Sequence, residues 1–185
     1  NVENVVDALD TMANPVLRIG CAGLPPGMGR GPYFERLDLL ETDVAFFQPP
    51  GETALRKWRT AAPPSAAFTM LAWQLVTHDA DSPGYQRLSP PLPPELHARV
   101  GSFRATEEVR NAWQRTMTAA RTLGAEVVLL ETPPTFTPVE RNRDAMRRFF
   151  AEVVGDRGDL VIAWEPRGVW EPAQAARFAE ELGLV

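Results

Sequence analysis

Apolar positions along the chain switch repeatedly between short continuous runs and i, i+3, i+4 spacing, a pattern that predicts alternating strands and helices. Val2, Val5, Val6, Leu9 and Met12 share one helical face and Pro15 ends the run, so residues 1–15 read as an N-terminal helix and 16–185 as a single domain. Val16-Leu-Arg-Ile-Gly20 reads as the first strand, broken by glycines and the Leu24-Pro-Pro-Gly27 turn. A helix follows over about 32–40, then a second strand at Val44-Ala-Phe-Phe47, a helix over 52–61 and a third strand over 67–76. Thr106 caps a helix that stops at Gly124, Val127–Leu130 is a fourth strand, and a helix covers about 138–153. Leu160–Trp164 is the fifth strand, Pro172 opens a last helix to Leu182, and Leu184-Val185 has the look of a sixth strand beginning. Between the third strand and the Thr106 helix lies a proline-rich stretch, 81–101, of the length that usually forms a lid or mobile segment. Apolar strands alternating with helices give an α/β class with a parallel sheet covered on both faces.

Composition narrows the partners more than the fold. The 185 residues carry 24 acidic and 19 basic side chains, a net charge of −5, and no basic stripe, which disfavours nucleic-acid backbones and anionic lipid. No apolar run is long enough to cross a bilayer. One cysteine, Cys21, forbids an internal disulfide and fits a cytoplasmic location; flanked by small residues, it reads as a buried, inert thiol. The glycines at 20–29 lack a following Gly-Lys-Ser/Thr, so no nucleotide-binding loop and no cofactor are indicated.

Candidate chemistry sits where parallel sheets place it, at the C-terminal strand ends. Glu41, Asp43 and Phe47 flank the second strand, Thr77-His78-Asp79 ends the third, Glu131 the fourth, and Glu165, Arg167 and Trp170 the fifth. Glu165 and Glu41 are candidate general acid and base, because clustered carboxylates raise one another's pKa toward neutrality. His78, with an ordinary pKa near 6.5, is a candidate accessory proton donor. Arg167 has the same orientation as Glu165 on an extended segment and is a candidate clamp for an anion, or else an internal partner of Glu165. Asp43, Glu131, Phe47 and Trp170 complete a polar pocket with aromatic walls, and Trp73 and Trp164 either line it or fill the core. Arg141, Arg143, Arg147 and Arg148 share a helix with Glu140 and Asp144 and read as an internally paired, solvated face.

The same segments, in order, resemble the YecE-like proteins, a family of unknown function (domain of unknown function 72). Ile19-Gly-Cys-Ala-Gly23 is similar to the family's Ile-Gly-Thr-Ser-Gly, and Glu41-Thr-Asp43 through Phe46-Phe47 and Pro50 to its Glu-x-Asn-x-x-Phe-Tyr-x-x-Pro, with Trp58 following. Phe68 through Thr77-His78, Leu129-Leu-Glu131-Thr-Pro133-Pro134 and Glu165-Pro-Arg167-Gly168-Val-Trp170 resemble three further motifs, the last with one position fewer between Arg and Trp. Asp43 replaces a family Asn, Leu71 a Lys, Glu131 a Gln and Gly168 a His, so this pocket is more acidic than the family pattern. The resemblance implies a (β/α)8 TIM barrel, and 185 residues fall short of the roughly 250 that a complete one takes. About five to six βα units fit, an incomplete barrel whose open edges call for a homodimer, another partner or the 2–13 helix as cover.

Three functional readings follow. The first is an enzyme, with hydrolysis as the default reaction, acting on a small polar or anionic metabolite. A non-catalytic ligand- or protein-binding module is the second, and a metal-dependent nuclease-like activity, by fold analogy alone, is the third. With only two histidines and no His-x-His or Asp-x-His spacing a zinc cluster is disfavoured, while Mg²⁺ or Mn²⁺ on carboxylates stays open.

Overall fold

Side chains alternate across the sheet, so the burial of every second strand residue shows which face the helices cover. The computed structural model describes residues 17–155 and 157–185; the helix expected over 2–13 lies outside them. Five strands are formed: β1 Gly20–Ala22, β2 Leu39–Thr42, β3 Ala67–Leu71, β4 Val127–Thr132 and β5 Val161–Pro166. All pair in parallel in the order β1-β2-β3-β4-β5. Leu40, Phe68, Met70, Val128, Leu130 and Ile162 are buried on one face.

That face belongs to one core with α5 (Glu107–Leu123), which contributes Val109, Trp113, Met117 and Ala120, and α6 (Glu140–Glu152), which contributes Met146 and Phe149. Trp113 meets Phe149 edge-on and donates its indole N–H to the Val154 carbonyl. The shorter helices are α1 (Arg30–Phe34), α2 (Val44–Phe47), α3 (Glu52–Thr60) and α4 (Gln74–Thr77), with α7 (Pro172–Glu181) last. A strand order that never reverses means right-handed crossovers always return on the same side. This is the winding of a TIM-type barrel and not of a doubly wound sheet, whose order reverses at a switch point. The expected sheet covered on both faces is therefore corrected: the second face, bearing Glu41, Thr69, Leu129, Glu131 and Glu165, is only half-buried, and the five strands do not close.

Capping residues behave as their chemistry dictates. The Thr106 hydroxyl accepts from Val109 N–H at the start of α5, Gly124 ends it at φ 68°, and the Glu171 carboxylate accepts two N–H groups at the start of α7. Strand positions differ from the sequence reading at three places. The second strand is Leu39–Thr42, because Asp38 to Thr42 pair with β1 and β3, while Val44–Phe47, expected as strand, coils into the short α2. The third strand ends at Leu71 rather than Val76, and the one-turn α4 carries the chain to His78. The first strand begins at Gly20, leaving Leu17 and Ile19 exposed. Val185 exchanges backbone hydrogen bonds with Ile162 and Trp164 of β5, so the pairing expected of a sixth strand has its first rungs.

The 81–101 stretch is not loose. Two 3-10 turns, Pro83–Arg87 and Pro94–Arg99, give it structure. The Gln48 amide bonds the Ser89 backbone in both directions, Gln74 donates to the Gly84 carbonyl, and Tyr85 donates to the His78 carbonyl. Arg87 lies over the Phe47 ring at 3.4 Å. These contacts pack the expected lid segment against α2 and α4.

Tyr33, fully buried, ties the first crossover together: its hydroxyl accepts from Cys21 N–H and donates to the Leu39 carbonyl, both at 2.7 Å. Tyr33→Phe leaves both backbone groups short of a partner, and we expect about 1–2 kcal/mol of destabilisation in urea unfolding. Cys21 itself is exposed, contrary to the buried thiol expected. Among the described residues no helix is long and apolar enough to cross a membrane.

Candidate functional site

Strand register brings the glutamates together. Glu131 on β4 is paired with Glu165 on β5, which sets the two carboxylates side by side on the same face. Glu41 pairs with Thr69, and Thr69 with Val127, four residues before Glu131, so all three glutamates share the half-buried face. Like charges so close repel unless bridged, and Arg167 bridges them. Its Nη2 lies 2.7 Å from Glu131 Oε2 and its Nε donates to Glu165 Oε1 at 3.0 Å. Of the two roles open to Arg167, internal pairing is the one realised; as an anion clamp it would first have to leave two carboxylates. The Glu131 side chain is 15% exposed and that of Glu165 44% exposed, which makes Glu131 the buried end of the cluster.

The electrostatics follow from burial and from this crowding. Burial first, then the charge of Glu165, holds Glu41 above the usual carboxylate range. Glu131 is also raised, by burial; Arg167 opposes the rise, and Glu165 and Glu41 add to it. His78 behaves otherwise than its residue type suggested. Burial, helped by the positive Arg167, lowers it to about 4, with Asp79 acting in the opposite sense. Its Nδ1 lies 2.8 Å from the Thr77 hydroxyl, its Nε2 is 3.9 Å from Glu131 Oε1, and its ring meets Phe46 edge-on at 4.9 Å. A ring with that pKa is neutral at pH 7. The 3.9 Å contact with Glu131 is therefore not an ion pair there, and the expected proton donor near neutrality is corrected to a neutral, packed imidazole.

The other sequence candidates divide. Asp43 is exposed beside Glu41 at the end of β2. Phe47 is half-buried under Arg87, and it is Phe46, not singled out by sequence, that touches His78. Trp170 does not wall the cluster. It is 7% exposed, stacks on Phe178, meets Trp164 edge-on and donates to the Phe136 carbonyl behind β5. Trp164 and Trp73 are core as well, and Trp73 donates its N–H to the Phe47 carbonyl. Gly168, where the family motif has His, sits at φ 87° with Pro134 backbone within 3 Å of any added Cβ, so a larger residue there is sterically refused. The four arginines of α6 also divide. Arg143 and Arg147 pair with Glu140, Asp144 and Glu181, while Arg141 and Arg148, seven residues apart, face the loop carrying Asp79 and Arg104.

Among the described residues no group of three or more His, Cys, Asp or Glu is arranged to hold a metal ion; Arg167 already bridges Glu131 and Glu165. What the arrangement can do is move protons: two carboxyls poised above their usual range, a third carboxyl beside them, and a cation that fixes their spacing.

A family model described as "Protein of unknown function DUF72" matches residues 24–182. The chain belongs to the DUF72 family. Solved DUF72 structures share its fold: two of one Enterococcus faecalis protein, at 17% and 18% identity and TM-scores of 0.63 and 0.62, each cover 90% of this chain. A DUF72 protein of Thermotoga maritima, 14% identical, covers 86% of it at a TM-score of 0.52. The chain spans 58–60% of the length of the Enterococcus protein and 55% of the Thermotoga one. No curated protein matches it. In this DUF72 chain Glu41, Glu131 and Glu165 of those motifs lie on the half-buried face, whereas Phe68 and Trp170 are core.

Proposed function

We propose that the Glu41–Glu131–Glu165–Arg167 cluster is an acid–base site for a small, oxygen-rich metabolite, with hydrolysis as the default reaction. The observation that carries this reading is the side-by-side pair Glu131 and Glu165, bridged by Arg167, with Glu131 held protonated to higher pH than an ordinary glutamate. A carboxyl so raised can give a proton to a leaving oxygen, and the more exposed Glu165 beside it can take one from water or a hydroxyl. His78 and Phe46 form one wall, and Tyr85 of the 81–101 segment bonds the His78 carbonyl behind it.

A second reading, a non-catalytic binding module, is favoured by one feature: Arg167 is already satisfied by two carboxylates. Turnover of hydroxylated metabolites by Glu131→Gln, with circular dichroism as a folding control, separates the two. Loss of a raised general acid lowers kcat by about 10²–10⁴ and removes the pH dependence it imposes. Unchanged turnover in Glu131→Gln sinks the acid–base assignment. Stabilisation by a metabolite without any turnover supports the binding module instead.

A further inference from the structure

Between the loop that leads into α5 and the first turns of α6 lies an open cavity of about 500 Å³, within the range of small-molecule sites. It shares no lining residue with the glutamate cluster. Phe103, Asn142 and Ala145 form its less exposed floor, and Asp79, Arg104, Arg141 and Arg148 supply its charge. Arg141, Ala145 and Arg148 stand at i, i+4 and i+7, one stripe of the helix. The two arginines are about 10 Å apart along the axis with a small side chain between them, so both can reach one group held over Ala145. Their charges are not cancelled. Asp79 is the one acidic residue on these walls, and its carboxylate already accepts from Arg104 and Ser102. Arg148 donates through Nε to the Asp144 carbonyl, a neutral group, and Arg141 has no hydrogen bond or ion pair among the described residues. Glu140 and the Asp144 carboxylate, beside them on α6, are taken by Arg143 and Arg147. The turn that supplies Arg104 also holds Ser102 and Phe103 at φ 47° and 53°, a conformation that concentrates at ligand sites.

We propose that this cavity binds a phosphate dianion, free or carried by a small metabolite, at a site separate from the acid–base cluster and independent of that reading. Charge selects the anion. A phosphate monoester carries roughly two negative charges near pH 7, which matches two uncompensated arginines in a chain whose net charge is −5. Its three oxygens accept paired N–H bonds from guanidinium groups that approach from different sides. A carboxylate balances only one of the two. Arg104, held by Asp79, orders the facing wall, and the volume leaves room for an organic part beside the phosphate.

The test is calorimetric titration of the full chain with glucose 6-phosphate, glycerol 3-phosphate and inorganic phosphate, and with glucose, glycerol, glucuronate and oligothymidylate as comparators. At least one of the three phosphates is expected to bind about tenfold or more tightly than glucose, glycerol and glucuronate. Arg141→Gln and Arg148→Gln each weaken that binding several-fold, and the double variant removes the margin. Both side chains are exposed, so these variants keep the parent Tm. Arg143→Gln removes the same charge from α6 without touching the cavity walls and changes the affinity by about twofold at most. An ester that outbinds inorganic phosphate identifies an organic phosphate as the ligand; equal or tighter binding of inorganic phosphate identifies the free ion. Binding by none of the phosphates, equal binding of glucuronate, equal losses in Arg143→Gln and Arg141→Gln, or tighter binding of oligothymidylate overturns the proposal. Glu131→Gln is expected to bind phosphate as the parent does, and loss of binding in that variant would place the phosphate at the glutamate cluster and remove this site.

Discussion

Gly101→Ala is expected to destabilise the protein by about 4 kcal/mol or more, a loss confined to a short list of mechanisms. Gly101 sits at φ 76°, and a Cβ there would lie 2.1 Å from the His78 carbonyl oxygen and 2.7 Å from Asp79 N. Those atoms are backbone and cannot swing aside. The turn is also pinned, because Gly101, Ser102 and Phe103 donate their N–H groups to Leu75, Thr77 and Val76. Ser102 and Phe103 themselves have positive φ of 47° and 53°, so the segment has no relaxed alternative nearby. Gly27→Ala is the control. Its φ is 77° but nothing lies within 4 Å, so only the left-handed conformation is penalised, at about 1 kcal/mol. Urea unfolding of the two variants separates collision from conformation. A Gly101→Ala loss as small as that of Gly27→Ala would show that the His78 turn yields easily.

Acidification supplies the second large effect. With His78 lowered from 6.5 to about 4, the unfolded chain binds the proton more readily than the folded one between those values. The stabilisation is therefore complete above pH 6.5 and lost as pH falls to 4, and two and a half units correspond to roughly 3 kcal/mol. Glu41 and Glu131 act with the opposite sign. Their pKa values are raised in the folded state, so protonating them on the way down from neutral pH favours folding and offsets part of the loss. The histidine contribution is isolated by comparing unfolding free energies of the parent and His78→Gln across pH 7 to 4. The parent is expected to lose about 3 kcal/mol more than the variant. Nuclear magnetic resonance of the His78 ring gives an independent check, and titration above pH 6 would contradict the burial argument.

Much of the helical frame was legible in the sequence because its signals are local. The Thr106 cap, the Gly124 stop and Pro172 in a first turn act through groups within a few residues, and both helices form there. Strand positions were less so. Leu39-Leu40 and Val44-Ala-Phe-Phe47 are both short apolar runs, and periodicity cannot say which one pairs with β1 and β3. Pairing chose Leu39–Thr42, and this moved Glu41 from the approach to a strand into the strand itself.

The site shows the same division. That Glu131, Glu165 and Arg167 stand at strand ends was readable from the apolar runs before them and from the resemblance, whereas Glu41 read as the entry to a strand. Trp170 was misassigned because an aromatic near a strand end can fall on either side of the sheet, and the packing of Phe136, Trp164 and Phe178 drew it to the core side.

The sequence by itself determined the α/β class, the family and the residue types gathered at the strand ends, because these depend on local periodicity, caps and collinear motifs. Tertiary structure alone decided that burial lowers the pKa of His78 and that Arg167 is spent on two glutamates. Those are matters of burial and of distances between residues far apart in the chain, and no local pattern encodes them.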